Sequence, residues 1–350
     1  MTQTATDDPP PPILECDIVM KGGITSGVVY PLAVVKLSNT YRFRNIGGTS
    51  AGAIAAAATA AAELGRDPNK QTQGFNLLEE LPSWLQGKAN NAQGSRLMAL
   101  FQAQPKTQRL FQLMLAALEP VGKWQKVLWV CLKSFWPSAL AGAIPGILAL
   151  WLMRSSDLLE VFVGLLLGVF VMIVGVLLAM LANLYVLVTN ELPANNFGLC
   201  NGYRARAHDR PRDPPLTEWL NTYLNQLAGR KVDGPPLTFT DLQNAGINLL
   251  MMTSNLTHGV PHRLPFEDKK FFFDPKEFAQ LFPPAVIAYL EQKNAQYEAQ
   301  GSSAVNLPNG DRLWRFPSGD DLPVVVAVRP SPPASRCCSA PCRCIRFTRL

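Results

Sequence analysis

Apolar and polar positions divide the chain into three stretches of different character. In the middle, residues 134–153 and 161–190 carry no charge and are dominated by Leu, Val, Ala, Gly and Ile. A bilayer span takes about 20 such residues, and Arg154, Asp157 and Glu160 between the runs form a polar tip, so the pair reads as a hairpin of two transmembrane helices. Pro137 and Pro145 are expected to kink the first helix. Gly142 and Gly146 give it a small-x-x-x-small face to set against the second. The competing reading is a buried hairpin inside a large soluble protein. On either side of it, short strand-like runs alternate with helix-like ones. Residues 16–20 and 41–46 read as strands, 28–37 as a helix with Pro31 in its first turn, and 53–64 as an alanine-rich helix. Further on, 248–255 and 323–328 read as strands and 263–266 as the far side of a hairpin. Residues 66–109, broken by Pro68, Pro82 and Pro105, read as helices and loops capping the sheet. This alternation predicts an α/β fold with a mostly parallel central sheet.

Charge changes that picture in two places. Lys123, Lys126 and Lys133 precede the first span and Arg204, Arg206, Arg210 and Arg212 follow the second, while the tip holds one arginine. By the positive-inside rule both α/β halves face the cytoplasm, and Trp124, Trp129, Trp136 and Trp151 lie where indoles anchor at the interface. From Arg329 onward the chain becomes an Arg/Pro/Cys-rich tail with four of the seven cysteines and no acidic residue. Setting aside its five arginines leaves 27 of the 32 basic residues against 26 acidic ones, so five of the six formal positive charges belong to the tail. A near-neutral body argues against nucleic-acid binding. The tail cysteines contain no Cys-x-x-Cys and have no histidine pair beside them, so no metal is expected. Cys16, Cys131 and Cys200 read as reduced thiols, and residues 1–12 as a flexible arm without the basic start of a signal peptide.

The candidate chemistry lies in two glycine turns. Gly48-Thr49-Ser50-Ala51-Gly52 sits between strand 41–46 and helix 53–64, the setting of a nucleophile elbow, in which a serine projects from a sharp strand-to-helix turn. Upstream, Lys21-Gly22-Gly23-Ile24-Thr25-Ser26-Gly27 follows strand 16–20. Its Gly22, Gly23 and Ile24 amides, with that of Ala51, could stabilise an oxyanion, each such donor being worth roughly 3 to 4 kcal/mol. A phosphate-binding loop is the alternative, but neither turn has the P-loop Lys-Ser/Thr or the Gly-x-Gly-x-x-Gly spacing.

These residues, in this order, resemble the patatin-like phospholipases, lipid acyl hydrolases with a glycine-rich oxyanion turn followed by Gly-x-Ser-x-Gly. Residues 237–242 (Leu-Thr-Phe-Thr-Asp-Leu), 247–266, 275–283 and 322–329 extend the resemblance, which covers residues 13–328 apart from the apolar insertion. It implies a three-layer sandwich in two parts, residues 13–122 and 191–328, interrupted by the hairpin at 123–190 and followed by the aberrant tail at 329–350. It also implies hydrolysis of phospholipid or lysophospholipid esters by a Ser-Asp dyad, with Ser50 as nucleophile and no cofactor. Two departures stand out. Ile24 and Ser26 replace the third glycine and the basic residue of the family's turn, and the Asp-Gly-Gly/Ala that carries the dyad aspartate is missing. Asp233-Gly234 precedes the 237–242 segment and reads as a turn. The tail is therefore expected to be a frame-slipped or prematurely ended translation. A Ser/Asp/His triad would have only His208, His258 and His262, all expected in loops or turns. The rival function is a membrane-bound, catalytically inactive relative of these hydrolases.

Overall fold

The computed structural model describes residues 14–23, 26–66, 73–90, 94–118, 123–152, 158–195, 198–200, 202, 213–255, 260–266, 271–301, 305–306, 312–317 and 319–329. Ile24, His208, His258, the four arginines at 204–212, the N-terminal arm and the tail beyond Arg329 lie outside them. The chain forms two compact units, residues 1–102 with 201–350, and residues 103–200. The first unit begins β1 (Leu14–Met20), α1 (Ser26–Ser38), β2 (Tyr41–Thr49), α2 (Ala51–Leu64), α3 (Gln73–Gln86) and α4 (Arg96–Leu100). The second holds α5 (Gln108–Leu118), α6 (Lys123–Leu152), α7 (Leu158–Val186), a π-helical turn (Leu187–Glu191) and α8 (Leu192–Ala194). The first then resumes with α9 (Leu216–Leu227), α10 (Phe239–Asn244), β3 (Asn248–Asn255), β4 (Val260–Leu264) and β5 (Phe272–Phe273). It ends with α11 (Pro275–Ala279), α12 (Pro284–Ala299), β6 (Val305–Asn306), β7 (Arg312–Arg315) and α13 (Val324–Val328).

The fold is mixed α/β. Its main sheet runs β1-β2-β3-β4, the first three strands parallel and β4 antiparallel, and β5, β7 and β6 form a small second sheet. The connections β1–α1–β2 and β2–α2–β3 step across the sheet in the same direction. Right-handed crossovers then lay both helices on one face, and α1 packs on α2. Ala53, Ala56, Ala57, Ala60, Ala61 and Ala62 of α2 are all fully buried. Alanine combines high helix propensity with a side chain small enough for sheet and helices to approach α2 from all sides. The sheet's other face is more open: Val19 is 83% exposed and Met252 47%.

At the end of α2, Glu63 and Arg66 form a buried ion pair of 2.8 Å. Glu63 also accepts the Phe43 amide, and Arg66 donates to the carbonyls of Ser38 and Tyr41. Burial outweighs the pairing, pushing the Glu63 carboxyl above its ordinary range and the Arg66 guanidinium below its own.

β1 and α2 each start two residues earlier than the sequence suggests, β4 takes in Val260 and Pro261, read as a turn, and three further elements differ. α1 starts at Ser26, so Pro31 lies in its second turn, where its missing N–H leaves the Gly27 carbonyl without the usual helical donor. β2 runs on through Gly47 and Gly48 to Thr49, held by parallel neighbours on both sides. Residues 324–328, read as strand from their valines, form helix α13 instead. Pro323, extended at φ −64° and ψ 134°, starts that helix, and all five of its residues are buried. A short apolar run has no period by which strand and buried helix can be told apart.

In the second unit α6 and α7 form the hairpin. A kink at Phe135 (φ −118°, ψ 20°) lies two residues before Pro137, whose ring clashes with the carbonyl of residue 133. The two helices touch through glycine. A Cβ on Gly142 would lie 2.3 Å from the Gly175 carbonyl oxygen, and one on Gly175 would lie 2.1 Å from that of Gly142. Gly146 meets Met172 in the same way, and Asn183 donates to Ser138 across the seam. Two stretches, Lys133–Trp151 and Leu159–Ala194, are long and apolar enough to cross a membrane, with mean hydropathies of 1.3 and 3.1. Only 17% and 11% of their most apolar windows is buried. Trp129, Trp136 and Trp151 are exposed.

Candidate active site

The parallel register brings the two glycine turns together. Met20, the last residue of β1, pairs with Gly48, and Thr49, the last of β2, pairs with Met252. The diglycine turn and Ser50 therefore leave adjacent strands at the same sheet edge, where open α/β folds bind ligands.

Ser50 occupies the corner between β2 and α2 with φ 54° and ψ −129°, and is the one non-glycine residue with positive φ among those described. A serine at a helix N-cap ordinarily has extended backbone, and its hydroxyl accepts an amide of the first turn. Here it makes no such capping bond. The hydroxyl stays free for chemistry; the Ala53 amide donates to the Ser50 carbonyl at 2.9 Å, and the Ala51 amide stands at the positive end of α2.

Backbone contacts hold the corner in this shape. A Cβ on Gly52 would lie 2.2 Å from the Met20 carbonyl oxygen, and one on Gly48 would lie 2.3 Å from that of Gly52. Neither position tolerates a side chain, which is the physical content of the Gly-x-Ser-x-Gly spacing. Gly22 closes over the serine from the other turn: a Cβ there would come within 2.5 Å of Ser50 Cβ and 3.1 Å of its Oγ. The Gly22 amide donates to Thr49 Oγ1 at 3.4 Å, and the Tyr30 hydroxyl of α1 donates to the Lys21 carbonyl at 2.9 Å. The Gly23 amide has no acceptor among the described residues. Tyr30 escaped the sequence reading because a lone tyrosine in a helix carries no motif; its partner lies nine residues back.

No carboxylate or imidazole among the described residues hydrogen-bonds to Ser50. Asp17 binds the Asn45 amide and side chain farther down the strands. Glu63 lies twelve residues along α2 from Ala51, about 18 Å at 1.5 Å per residue. Asp241 completes the capping box of α10 with Thr238, and Asp233-Gly234 lies in a turn closed by the Gly234 amide on the Lys231 carbonyl. His262 is in β4 and not in a turn as expected. It pairs with Thr253 and sits edge-on to Phe266 and Phe271. β4 lies two strand spacings from β2, about 10 Å between backbones. The described cysteines Cys16, Cys131 and Cys200 are unpaired, and no cluster that could hold a metal occurs among the described residues.

Comparison with known proteins adds one relative. An "RpoH suppressor" of Rhizobium meliloti (strain 1021) is 35% identical over 354 aligned residues, which take in 91% of this chain and 51% of that protein. The chain thus spans about half the length of the curated relative it matches. No family model matches the chain, and no solved structure does.

Proposed function

We propose that this chain is a serine acyl hydrolase cleaving membrane-lipid esters, of the phospholipase A or lysophospholipase type. The observation that carries the reading is Ser50: a strained corner residue whose hydroxyl caps nothing, at the open end of a buried helix and beneath a diglycine turn. Its Oγ would attack an acyl carbonyl while the amides of Gly22, Gly23, Ile24 and Ala51 receive the negative charge. The ester C–O bond then breaks, the alcohol leaves with the serine proton, and water releases the fatty acid from Ser50. The resemblance to patatin-like enzymes supports an aspartate as proton acceptor and a three-layer sandwich, which requires a further helical layer over the face of Val19 and Met252. The uncovered, glycine-seamed hairpin and the basic residues around it support a two-span membrane protein with its α/β halves in the cytoplasm.

A second reading, a hydrolase scaffold without turnover, is favoured by the lack of a base beside Ser50 among the described residues and by the altered oxyanion turn. A fluorophosphonate probe separates the two. Labelling of the full chain that disappears in Ser50→Ala, together with fatty-acid release from lysophospholipid micelles, supports the enzyme. A folded, unlabelled wild type supports the inactive scaffold.

A further inference from the structure

We propose that Tyr30 and Thr49 are positioning residues that together set the orientation of the Lys21–Gly22 peptide plane, and with it the first oxyanion donor at Ser50; this rests on the hydrolase reading. A trans peptide is planar, with its C=O and N–H pointing in opposite directions. This plane is held at both ends: its carbonyl accepts from the Tyr30 hydroxyl at 2.9 Å, and its N–H donates to Thr49 Oγ1 at 3.4 Å. The grip matters because the plane precedes two glycines, Gly22 and Gly23, whose backbones turn over at little cost. A flipped plane would put the Lys21 carbonyl oxygen where the amide now stands, facing the developing oxyanion with negative charge.

The two grips differ in kind. The Tyr30 ring packs against the buried core and its hydroxyl bond has ordinary length, so α1 fixes the carbonyl. The Thr49 bond is long, near the limit for a hydrogen bond. A weak acceptor keeps the amide aimed without competing for it once a charged oxygen forms on the carbon attached to Ser50. Thr49 thus serves as the resting-state acceptor, and its position next to the nucleophile follows from the elbow itself.

The experiment uses the detergent-solubilised full chain, following fluorophosphonate labelling of Ser50 and steady-state hydrolysis of a short p-nitrophenyl ester. Tyr30→Phe keeps the ring and removes the hydroxyl. It should lower kcat and the labelling rate roughly tenfold or more, since loss of one oxyanion donor costs 10²–10³, while KM stays within about twofold and the unfolding midpoint is unchanged. Thr49→Val should also lower kcat with KM unchanged, and Thr49→Ser, which keeps the acceptor, should restore it. Should Tyr30→Phe fail to fold, the Thr49 pair decides. Wild-type kcat in Tyr30→Phe, or equal kcat in Thr49→Val and wild type, overturns the clamp and leaves the hydrolase standing. A wild type that never labels at Ser50 removes the hydrolase reading, and the clamp with it.

Discussion

Ser50 holds a backbone conformation that costs a non-glycine residue roughly 1 to 3 kcal/mol, and the rest of the corner enforces it. The Gly52 and Gly48 contacts are backbone against backbone, so they leave the chain no slack to relax into. Ser50→Gly removes both the strain and the nucleophile. It is expected to raise the unfolding free energy by about 1 kcal/mol while abolishing labelling and ester hydrolysis; equal or lower stability in denaturant titration would show that the corner stores no strain. Those glycines and Ser50 could be read directly from the sequence, because a tight turn with a close neighbour selects for them. Tyr30 could not be read, since its role depends on one carbonyl that only the folded β1–α1 connection brings within reach.

Helices and strands were legible wherever length or period was unambiguous. The strand Asn248–Asn255 has the bounds that the hydrophobic pattern implied, the alanine-rich helix ends at Leu64 as expected but starts two residues early at Ala51, and the two long apolar helices are present. The misreadings came from competing forces. Glycines at 47 and 48 lower strand propensity, yet pairing on both edges keeps β2 extended to Thr49. Valines at 324–326 favour strand, yet Pro323 and burial on every side favour a helical turn. The seam between α6 and α7 was visible as Gly142 and Gly146; its other half, Gly175 and Met172, needed the register. Gly175→Val forces a branched side chain to within 2.1 Å of the Gly142 carbonyl oxygen. It should separate the helices and markedly lower the thermal midpoint of the hairpin in detergent, whereas Leu166→Ala, at a 56% exposed position, should leave that midpoint nearly unchanged. Equal effects of the two would exclude the glycine seam as the packing contact.

At the scale of the whole molecule, two properties coexist in one chain: an α/β unit built around a strained serine, and a hairpin whose apolar surface the protein itself leaves uncovered. An exposed apolar surface of this size marks an interaction site, and the proposed two-span topology gives it lipid. The full chain is therefore expected to stay in the membrane pellet through alkaline carbonate, and its release into the supernatant would exclude the two-span topology. The parallel pair β2 and β3 has a further consequence, for synthesis. Thr49 pairs with Met252, so the strand that carries the nucleophile must wait for its neighbour while about 200 residues, the hairpin among them, leave the ribosome. At 5–20 residues per second that takes roughly 10 to 40 s. During that interval the inner edge of β2 is unpaired and open to chance partners, and the elbow cannot be locked from both sides until the chain has committed its two greasiest helices.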